Sequence, residues 1–173
     1  CFKGLSCFLK PDLTQQMSRK KRKIRVTIVV SNIDKSVGFE WLVDRIDRDR
    51  FELTFILLNE TPSYFAQYLK QVGITVNELE FKGKADIPFL VLKVTAAFLR
   101  NRPDVVHTHL FGANLIGQTA AIFSLIKTRV YTRHSSNENR RYYGKQWLDR
   151  YVNNLVTHIV AISKNVETVL EQE

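Results

Sequence analysis

The side chains best suited to do chemistry in this sequence are two histidines in the stretch PDVVHTHLFGANLIG, residues 103–117. The β-branched run before them predicts a buried strand, and the glycine-containing turn after them leads into a helical segment. In open α/β sheets, ligands bind in the crevice beyond the carboxyl ends of the strands. We therefore predict that His109, at the lip of this crevice, is a catalytic or substrate-contacting imidazole. His107 lies deeper in the strand and is predicted to be a packed, hydrogen-bonded residue.

Other kinds of site find little support in the sequence. His107 and His109 point to one face of the strand, but no third or fourth ligand follows at the spacing of a metal site. We therefore predict no metal. The sequence has no GxGxxG after its first strand, no P-loop and no GxSxG. These absences count against dinucleotide-dependent dehydrogenases, P-loop nucleotide hydrolases and serine hydrolases.

Two further segments are expected beside the same crevice. The helix that begins near Gly112 and Asn114 presents backbone N–H groups, which suit a phosphate or another anion, although a plain tight turn is the alternative. The loop of residues 133–145 is rich in arginine and tyrosine and includes Arg133, His134 and Arg140. Such a loop suits a sugar, a phosphate or a lipid headgroup, and equally an ordinary solvated loop.

Six apolar, β-branched segments alternate with helical patterns along the chain. They predict strands at residues 24–31, 51–59, 74–79, 105–109, 129–132 and 158–162. Because no hairpin turn joins them, we predict an α/β fold, a Rossmann-like parallel sheet of about six strands with helices on both faces. In the first helix, capped by Asp34 or Ser36, the residues Val37, Trp41, Leu42 and Ile46 fall on one apolar face.

Composition and charge set apart the first residues of the chain. The 173 residues carry a net charge of +9, and eight basic residues and one acidic residue lie in residues 1–25, which leaves the remainder near neutral. We divide the chain into a disordered basic leader, residues 1–23, and a folded domain, residues 24–173. Cys1 and Cys7 both lie in the leader, so the domain has no disulfide framework and suits a reducing, cytoplasmic compartment. We hypothesise that translation begins at Met17.

The basic run Arg19 to Lys23 leaves three interpretations open. It is a solvated flank, it contacts an anionic membrane surface, or it binds nucleic acid, for which the chain offers no recognised binding module. We expect no nucleic-acid partner. No apolar stretch reaches the roughly 20 residues of a membrane-spanning helix. The closest, residues 87–99, is interrupted by Lys93 and predicts a buried or interfacial helix.

The order of the motifs resembles that of a known enzyme family. A D-V-V-H-x-H strand, then a Y-T-x-H strand, then an I-V-A-x-S helix start are similar to the N-terminal domain of GT-B retaining glycosyltransferases of "family four". In that family two Rossmann-like domains face each other. The N-terminal domain mainly handles the acceptor, and the C-terminal domain holds the nucleotide-sugar. The resemblance implies that this chain stops before the C-terminal domain.

Site residues follow from the resemblance position by position. His109 matches the crevice histidine that contacts the transferring sugar or an acceptor hydroxyl. The turn from Asn32 to Gly38 occupies the place of the glycine-rich loop, although only Gly38 stands where the family has two glycines. The family uses no metal and no cofactor besides its donor. The substrate-binding residues so predicted are Asn32, Lys35, Ser36, Gly38, Phe111, Gly112, Asn114, Arg133, His134 and Arg140.

The implied function is transfer of a hexosyl unit from a nucleotide-sugar to a glycan or lipid-linked acceptor, with retention of configuration. It would serve envelope polysaccharide synthesis in the cytoplasm, peripherally at the inner membrane face, and this chain alone would be inactive. Two alternatives stay open. One is a non-enzymatic sugar- or nucleotide-binding module. The other is a UDP-sugar epimerase of the same architecture, which needs no acceptor.

Overall fold

A six-stranded parallel sheet forms the centre of the protein, which a computed structural model describes over residues 22–134 and 146–171. The strand order is β3-β2-β1-β4-β5-β6. This confirms the predicted Rossmann-like α/β fold, because the chain winds outward in both directions from the adjacent strands β1 and β4. The strands are β1 (Ile24–Ser31), β2 (Phe51–Asn59), β3 (Thr75–Glu80), β4 (Val105–His109), β5 (Thr128–Arg133) and β6 (His158–Ala161).

Helices connect the strands and cover the sheet. Three of their starts are fixed by a serine hydroxyl that accepts from a backbone N–H one turn later: Ser36 from Phe39, Ser63 from Ala66, and Ser163 from Val166. None of the helices in the described ranges has the length and apolar character that crossing a bilayer requires. The helices are α1 (Val37–Arg45), α2 (Tyr64–Gln71), α3 (Ile87–Asn101, preceded by a 3-10 turn at Lys84–Asp86), α4 (Phe111–Phe123), α5 (Gln146–Leu155) and α6 (Lys164–Glu171).

Alternation along the strands divides the apolar residues between two cores. On β1, Val29 joins the core beneath α3 and α4, whereas Ile28 and Val30 join the core beneath α1 and α2. On β4, Val106 faces α3 and α4. His107 and His109 therefore lie on the side of the sheet that α1 covers.

The apolar face predicted for α1 is wrong in its orientation. Val37 and Trp41 are 73% and 59% exposed, and the buried residue of this helix is Val43. The cause is Phe39, whose ring packs edge-on against Phe55, with 6.0 Å between ring centroids. Because this contact orients the helix, the residues on the opposite side of α1 face solvent. Of the predicted set, Ile46 does pack against the core, whereas Leu42 is also exposed.

Helix α4 approaches the sheet closely at Gly117. A Cβ at this position would lie 2.8 Å from Cγ2 of Thr108 and 3.4 Å from Cβ of Val29. Both neighbours are stiff β-branched residues on buried strands, so neither can move aside easily. The glycine thus sets the depth at which α4 lies on β1 and β4.

We expect the substitution Gly117→Ala to lower the free energy of unfolding by about 1–3 kcal/mol, because overpacking outweighs the gain in helix propensity. Gly38→Ala in α1 is the matched control, since the nearest atom to its Cβ would be Ser36 Oγ at 4.0 Å. That variant should be neutral or more stable by up to about 1 kcal/mol. Urea denaturation measures both, and an equal effect of the two substitutions would contradict close packing at Gly117.

Candidate functional site

The crevice of this fold opens where β1 and β4 lie side by side. The two strands pair in parallel with Val30 opposite His109, so their carboxyl ends meet at the same edge of the sheet. After β1 the chain turns to one face to form α1, and after β4 it turns to the other face to form α4. The segments that begin at Asn32 and Leu110 therefore border the topological switch point, where doubly wound sheets bind ligands.

The turn after β4 has an unusual backbone. Leu110 has φ 68° and ψ 158°, a region that L-residues rarely adopt and that costs on the order of 1–3 kcal/mol. Its side chain packs against the core beneath α1 and α2. The next residue but one, Gly112, has no room for a Cβ, which would lie 2.7 Å from the Phe81 ring. This backbone lets α4 begin at Phe111, earlier than the sequence predicts.

The first turn of α4 is held against the end of β1. The backbone N–H of Ala113 donates to Ser31 Oγ at 3.2 Å, and both residues are buried. Ser31 thus takes up one of the amide groups that a helix N-terminus offers to an anion. Residues 111–113 and Asn32, which follows Ser31, lie together at the crevice.

Three histidines form a cluster at this edge. The rings of His107 and His109 lie 4.2 Å apart between centroids, and His109 Nδ1 lies 3.2 Å from Nε2 of His134, the residue that follows β5. His107 Nε2 lies 2.7 Å from the hydroxyl of Thr132. His109 and His134, each predicted from the sequence as a site residue, are therefore in direct contact.

The burial of the two strand histidines differs from the prediction. His109 is the more enclosed, only 8% exposed, because the Phe39 ring packs edge-on against it at 4.8 Å. His107 is partly exposed. The imidazole at the strand end is thus covered and does not stand open at the lip. Its Nε2 is buried and has no hydrogen-bond partner among the described residues.

Burial also determines the charge of the cluster. Loss of solvation lowers the pKa of His107 to about 4, with a further lowering by His134. It lowers the pKa of His109 to about 3, and the neighbouring His107 and His134 act in the same direction. Both rings are therefore neutral at neutral pH. A neutral imidazole can exchange hydrogen bonds with a hydroxyl group, but it brings no positive charge to a phosphate.

The turn after β1 is anchored from both sides. Asn59 Oδ1 accepts from the Ile33 N–H at 2.9 Å, and Asp34 Oδ1 accepts from the Tyr64 N–H at 3.1 Å. The anchored turn leaves three predicted site residues exposed, namely Asn32, Lys35 and Gly38. Ser36, also predicted, is engaged as the N-cap of α1.

The remaining predicted residues divide into those near the crevice and those inside the fold. Phe111 and Gly112 are partly buried at the start of α4, beside the crevice. Asn114 is 1% exposed, and its Oδ1 accepts from the Thr108 hydroxyl at 3.0 Å, so its side chain serves the packing of α4. Arg133 is likewise 1% exposed. Arg140 lies outside the described residues.

Three contributors to the site were missed from the sequence: Ser31, Phe39 and Thr132. A polar residue at the end of a β-branched run is a weak signal that could have pointed to Ser31. Thr132 pairs in register with His109 and so lies on the histidine face of β5. The described residues contain no group of three or more side chains arranged to hold a metal ion.

Comparison with known proteins assigns the chain to a family. The model of Glycosyltransferase Family 4 matches residues 12–173, nearly the whole chain. The chain belongs to glycosyltransferase family 4. This confirms the resemblance drawn from the ordered histidine motifs to the N-terminal domain of the GT-B fold. No curated protein matches the family 4 chain in sequence.

Solved structures share the fold of this family 4 domain. The UDP-GlcNAc 2-epimerase from Neisseria meningitidis bound to UDP-GlcNAc superposes with a TM-score of 0.64 at 12% identity, over 86% of this chain and 42% of that one. For the lipopolysaccharide outer core galactosyltransferase WaaB the TM-score is 0.65 at 12% identity, over 86% of this chain and 42% of that one. For HepE from Anabaena in complex with UDP-glucose the TM-score is 0.61 at 22% identity, over 85% of this chain and 40% of that one. The chain therefore spans less than half the length of each.

The buried histidines make stability depend on pH. Well above pH 6.5, the ordinary pKa of histidine, these rings are neutral in the folded and the unfolded chain, so they add no pH dependence to stability. As the pH falls toward 4, the unfolded chain takes up protons that the folded chain does not, so the free energy of unfolding decreases. We expect His109→Gln to flatten this dependence between pH 6.5 and 4. Urea denaturation at a series of pH values measures it.

The matched control for this pH series is His158→Gln, because His158 is exposed on β6. A flattened slope confined to the His109 variant is the expected result. A His109 variant with the slope of the unsubstituted protein would show that this ring is not held neutral by burial.

Proposed function

We propose that this family 4 domain forms the acceptor side of a hexosyltransferase. The enzyme transfers a hexosyl unit from a nucleotide-sugar to a glycan or lipid-linked acceptor, with retention of configuration at the anomeric carbon. Membership of glycosyltransferase family 4 supports transfer as the reaction class. The UDP-sugar complexes among proteins of similar fold support a uridine diphosphate sugar as the donor.

The observation that carries this proposal is the buried, unpartnered Nε2 of His109 at the switch point. A buried polar atom without a partner costs about 1–3 kcal/mol, so a ligand that supplies the missing hydrogen bond is favoured once the groups covering the ring, Phe39 among them, move aside. A sugar hydroxyl is such a ligand, and it can donate to or accept from a neutral imidazole. We assign His109 the role of orienting a hydroxyl of the transferring sugar or of the acceptor.

His134 acts on the substrate through His109. Its Nε2 lies 3.2 Å from Nδ1 of His109, so the hydrogen bond between them is coupled to which His109 nitrogen carries the proton. A proton on Nδ1, donated to His134, leaves Nε2 as a hydrogen-bond acceptor. A proton on Nε2 makes it a donor. His134 is therefore a positioning residue that selects how His109 addresses the hydroxyl.

The transfer itself breaks the bond between the anomeric carbon and the diphosphate and forms a bond to the acceptor oxygen, whose proton leaves with the diphosphate. The negative charge that develops on the diphosphate requires hydrogen-bond donors and cations. Within this chain, Lys35 and the exposed turn after β1 supply such groups at the crevice edge. The neutral histidines His107 and His109 do not, so the diphosphate needs cations from outside this pair.

The proposal extends to the place of action. We infer a cytoplasmic enzyme of envelope polysaccharide synthesis that associates peripherally with the inner face of an anionic membrane. The basic run Arg19–Lys23 supports it through charge, because each Lys or Arg near an anionic surface contributes roughly 1 kcal/mol. Of this run, only Arg22 and Lys23 are among the described residues.

We expect His109→Ala, in the complete enzyme that contains this chain, to lower turnover about tenfold to a thousandfold, because a hydrogen bond to the reacting sugar is lost. The melting temperature separates this effect from unfolding. His158→Gln is the control, since His158 is exposed and its Nδ1 is bonded to the adjacent Thr157 hydroxyl at 3.0 Å. Turnover that is unchanged in a folded His109 variant would remove His109 from the mechanism.

We also expect the 173-residue chain alone to transfer no radiolabelled sugar from a nucleotide-sugar, because it spans less than half the length of the proteins of similar fold. The assay on the complete enzyme includes one reaction without acceptor. Conversion of the UDP-sugar to its epimer in that reaction would favour epimerisation, the activity of one protein of similar fold. Saturable binding without transfer or epimerisation would favour a binding module.

A further inference from the structure

A row of apolar side chains faces solvent on α3 and at the end of α4. On α3, the buried residues are Leu90, Val91, Val94 and Phe98, and several of the outward positions are apolar as well. We call the exposed set the α3–α4 face. It consists of Phe89 (59% exposed), Leu92 (67%), Leu99 (57%), Phe123 (64%) and Leu125 (86%).

The members of the α3–α4 face belong to two helices that are neighbours in the fold. Helices α3 and α4 pack side by side, and the Ser124 hydroxyl donates to the carbonyl of Thr95 at 3.5 Å. Leu99 and Leu125 line one shallow cavity of about 470 Å³ together with Arg102 and Lys127. Exposed apolar side chains that cluster in this way mark interaction surfaces, whereas isolated ones do not.

Leu125 is the member of this face that the fold does not explain. It ends α4 with φ 56°, in the left-handed region, while the Ile126 N–H closes the helix by donating to the carbonyl of Ala121 at 2.9 Å. Glycine or asparagine is preferred at this position of a helix end. A leucine here has an unfavourable backbone and gains nothing from burial. Its side chain therefore points to a contact outside the fold.

The charged residues within α3 and α4 are positive. Helices α3 and α4 contain no Asp or Glu, and α3 contributes the exposed cations Lys93 and Arg100. Lys93 Nζ lies 4.3 Å from the centre of the Phe89 ring, so an ammonium group sits directly over one apolar member of the face. Arg102 and Lys127 are exposed at the far end.

Asp104, a carboxylate near the C-terminal end of α3, already has hydrogen-bond partners within the fold. Asp104 accepts from the Arg22 guanidinium and from the Arg25 N–H, each at 2.8 Å, and these bonds lower its pKa. The same contact places Arg22, near the end of the basic run, beside the end of α3. Arg22 thus lies at the same end of α3 as Arg102.

We propose that the α3–α4 face docks on an anionic lipid bilayer, with its apolar tips in the headgroup boundary and its cations on lipid phosphates. Apolar residues flanked by lysine and arginine are typical of helices that lie in the membrane interface. A second copy of the chain is a poorer occupant, because a two-fold contact sets like charges against each other. The proposal names the surface for the membrane association proposed above. It holds whether or not the protein transfers sugars.

The test is flotation of the complete protein with vesicles, in the absence of any sugar donor. Vesicles of phosphatidylcholine mixed with phosphatidylglycerol are compared with vesicles of phosphatidylcholine alone. We expect binding to the anionic vesicles only. The double variant Leu92→Ser, Leu125→Asn should bind about a hundredfold more weakly, since each exposed leucine contributes about tenfold. The double variant Lys93→Gln, Arg100→Gln should lose about fivefold per charge.

Two readouts separate docking from damage to the fold. Leu125→Asn should leave the melting temperature unchanged or raise it, because asparagine tolerates the left-handed backbone better than leucine. The matched control is Val37→Ser with Trp41→Ser, which removes two equally exposed apolar residues from α1, on the opposite face of the sheet. This control should bind vesicles like the unsubstituted protein.

Several results would overturn the proposal. Binding that the α3–α4 substitutions leave intact and that falls only on replacing Arg22 and Lys23 would assign membrane contact to the leader alone. Equal loss in the α1 control would show that no particular face is used. Absence of vesicle binding, with self-association that the leucine variant abolishes, would make the face an interface between copies. Absence of binding with the face protected from hydrogen exchange in the complete protein would show that another segment covers it.

Discussion

The buried hydroxyl of Thr108 is the contact on which the geometry of the site depends. It donates to Asn114 Oδ1 at 3.0 Å and accepts from Gln118 Nε2 at 2.7 Å, and both partners belong to α4. Leaving such a hydroxyl unpaired in the core costs about 1–3 kcal/mol, so β4 is held with Thr108 toward α4. Strand alternation then places His107 and His109 on the opposite side. A slip of one residue would exchange the two sets.

The histidine side of β4 is covered by apolar and aromatic groups, and this covering decides its chemistry. Phe39 packs against His109, and the pKa of that ring falls to about 3 because burial removes its solvation. The buried rings can therefore donate or accept a hydrogen bond, but they carry no charge. This agrees with a domain that orients a sugar hydroxyl and leaves neutralisation of the diphosphate to other groups. Burial of this ring thus sets its protonation state.

The sequence predicts the sheet well and the cover over the site poorly. Runs of β-branched residues carry their own signal, so β1, β2 and β4 begin and end where the pattern places them. The apolar face of α1 and the exposure of His109 were both predicted wrongly, and both errors have one cause. Phe39 meets Phe55 and Phe65 on the sheet side, and these contacts join segments far apart in the chain. Local periodicity contains no information about them.

The turn at Leu110 is a second feature beyond the reach of local pattern. A leucine gives no sign that its φ will be 68°, since turns of this kind usually signal themselves by glycine. Two contacts impose this backbone conformation. The Leu110 side chain is held in the core beneath α1 and α2, and the Ala113 amide is bonded to Ser31 on β1. The start of α4, and with it the crevice edge, is thus set by tertiary contacts.

The crevice and the α3–α4 face stand in a fixed relation because of the winding of the chain. In a parallel sheet, each connecting helix returns from the carboxyl edge to the amino edge and so lies antiparallel to the strands. A bilayer against α3 and α4 therefore lies parallel to the strands, and the carboxyl edge, with His109, opens along the membrane surface. A water-soluble nucleotide-sugar reaches that edge from solution, while a lipid-linked acceptor reaches it from the bilayer plane. The two substrates of the proposed reaction then meet at the crevice without either one crossing the fold.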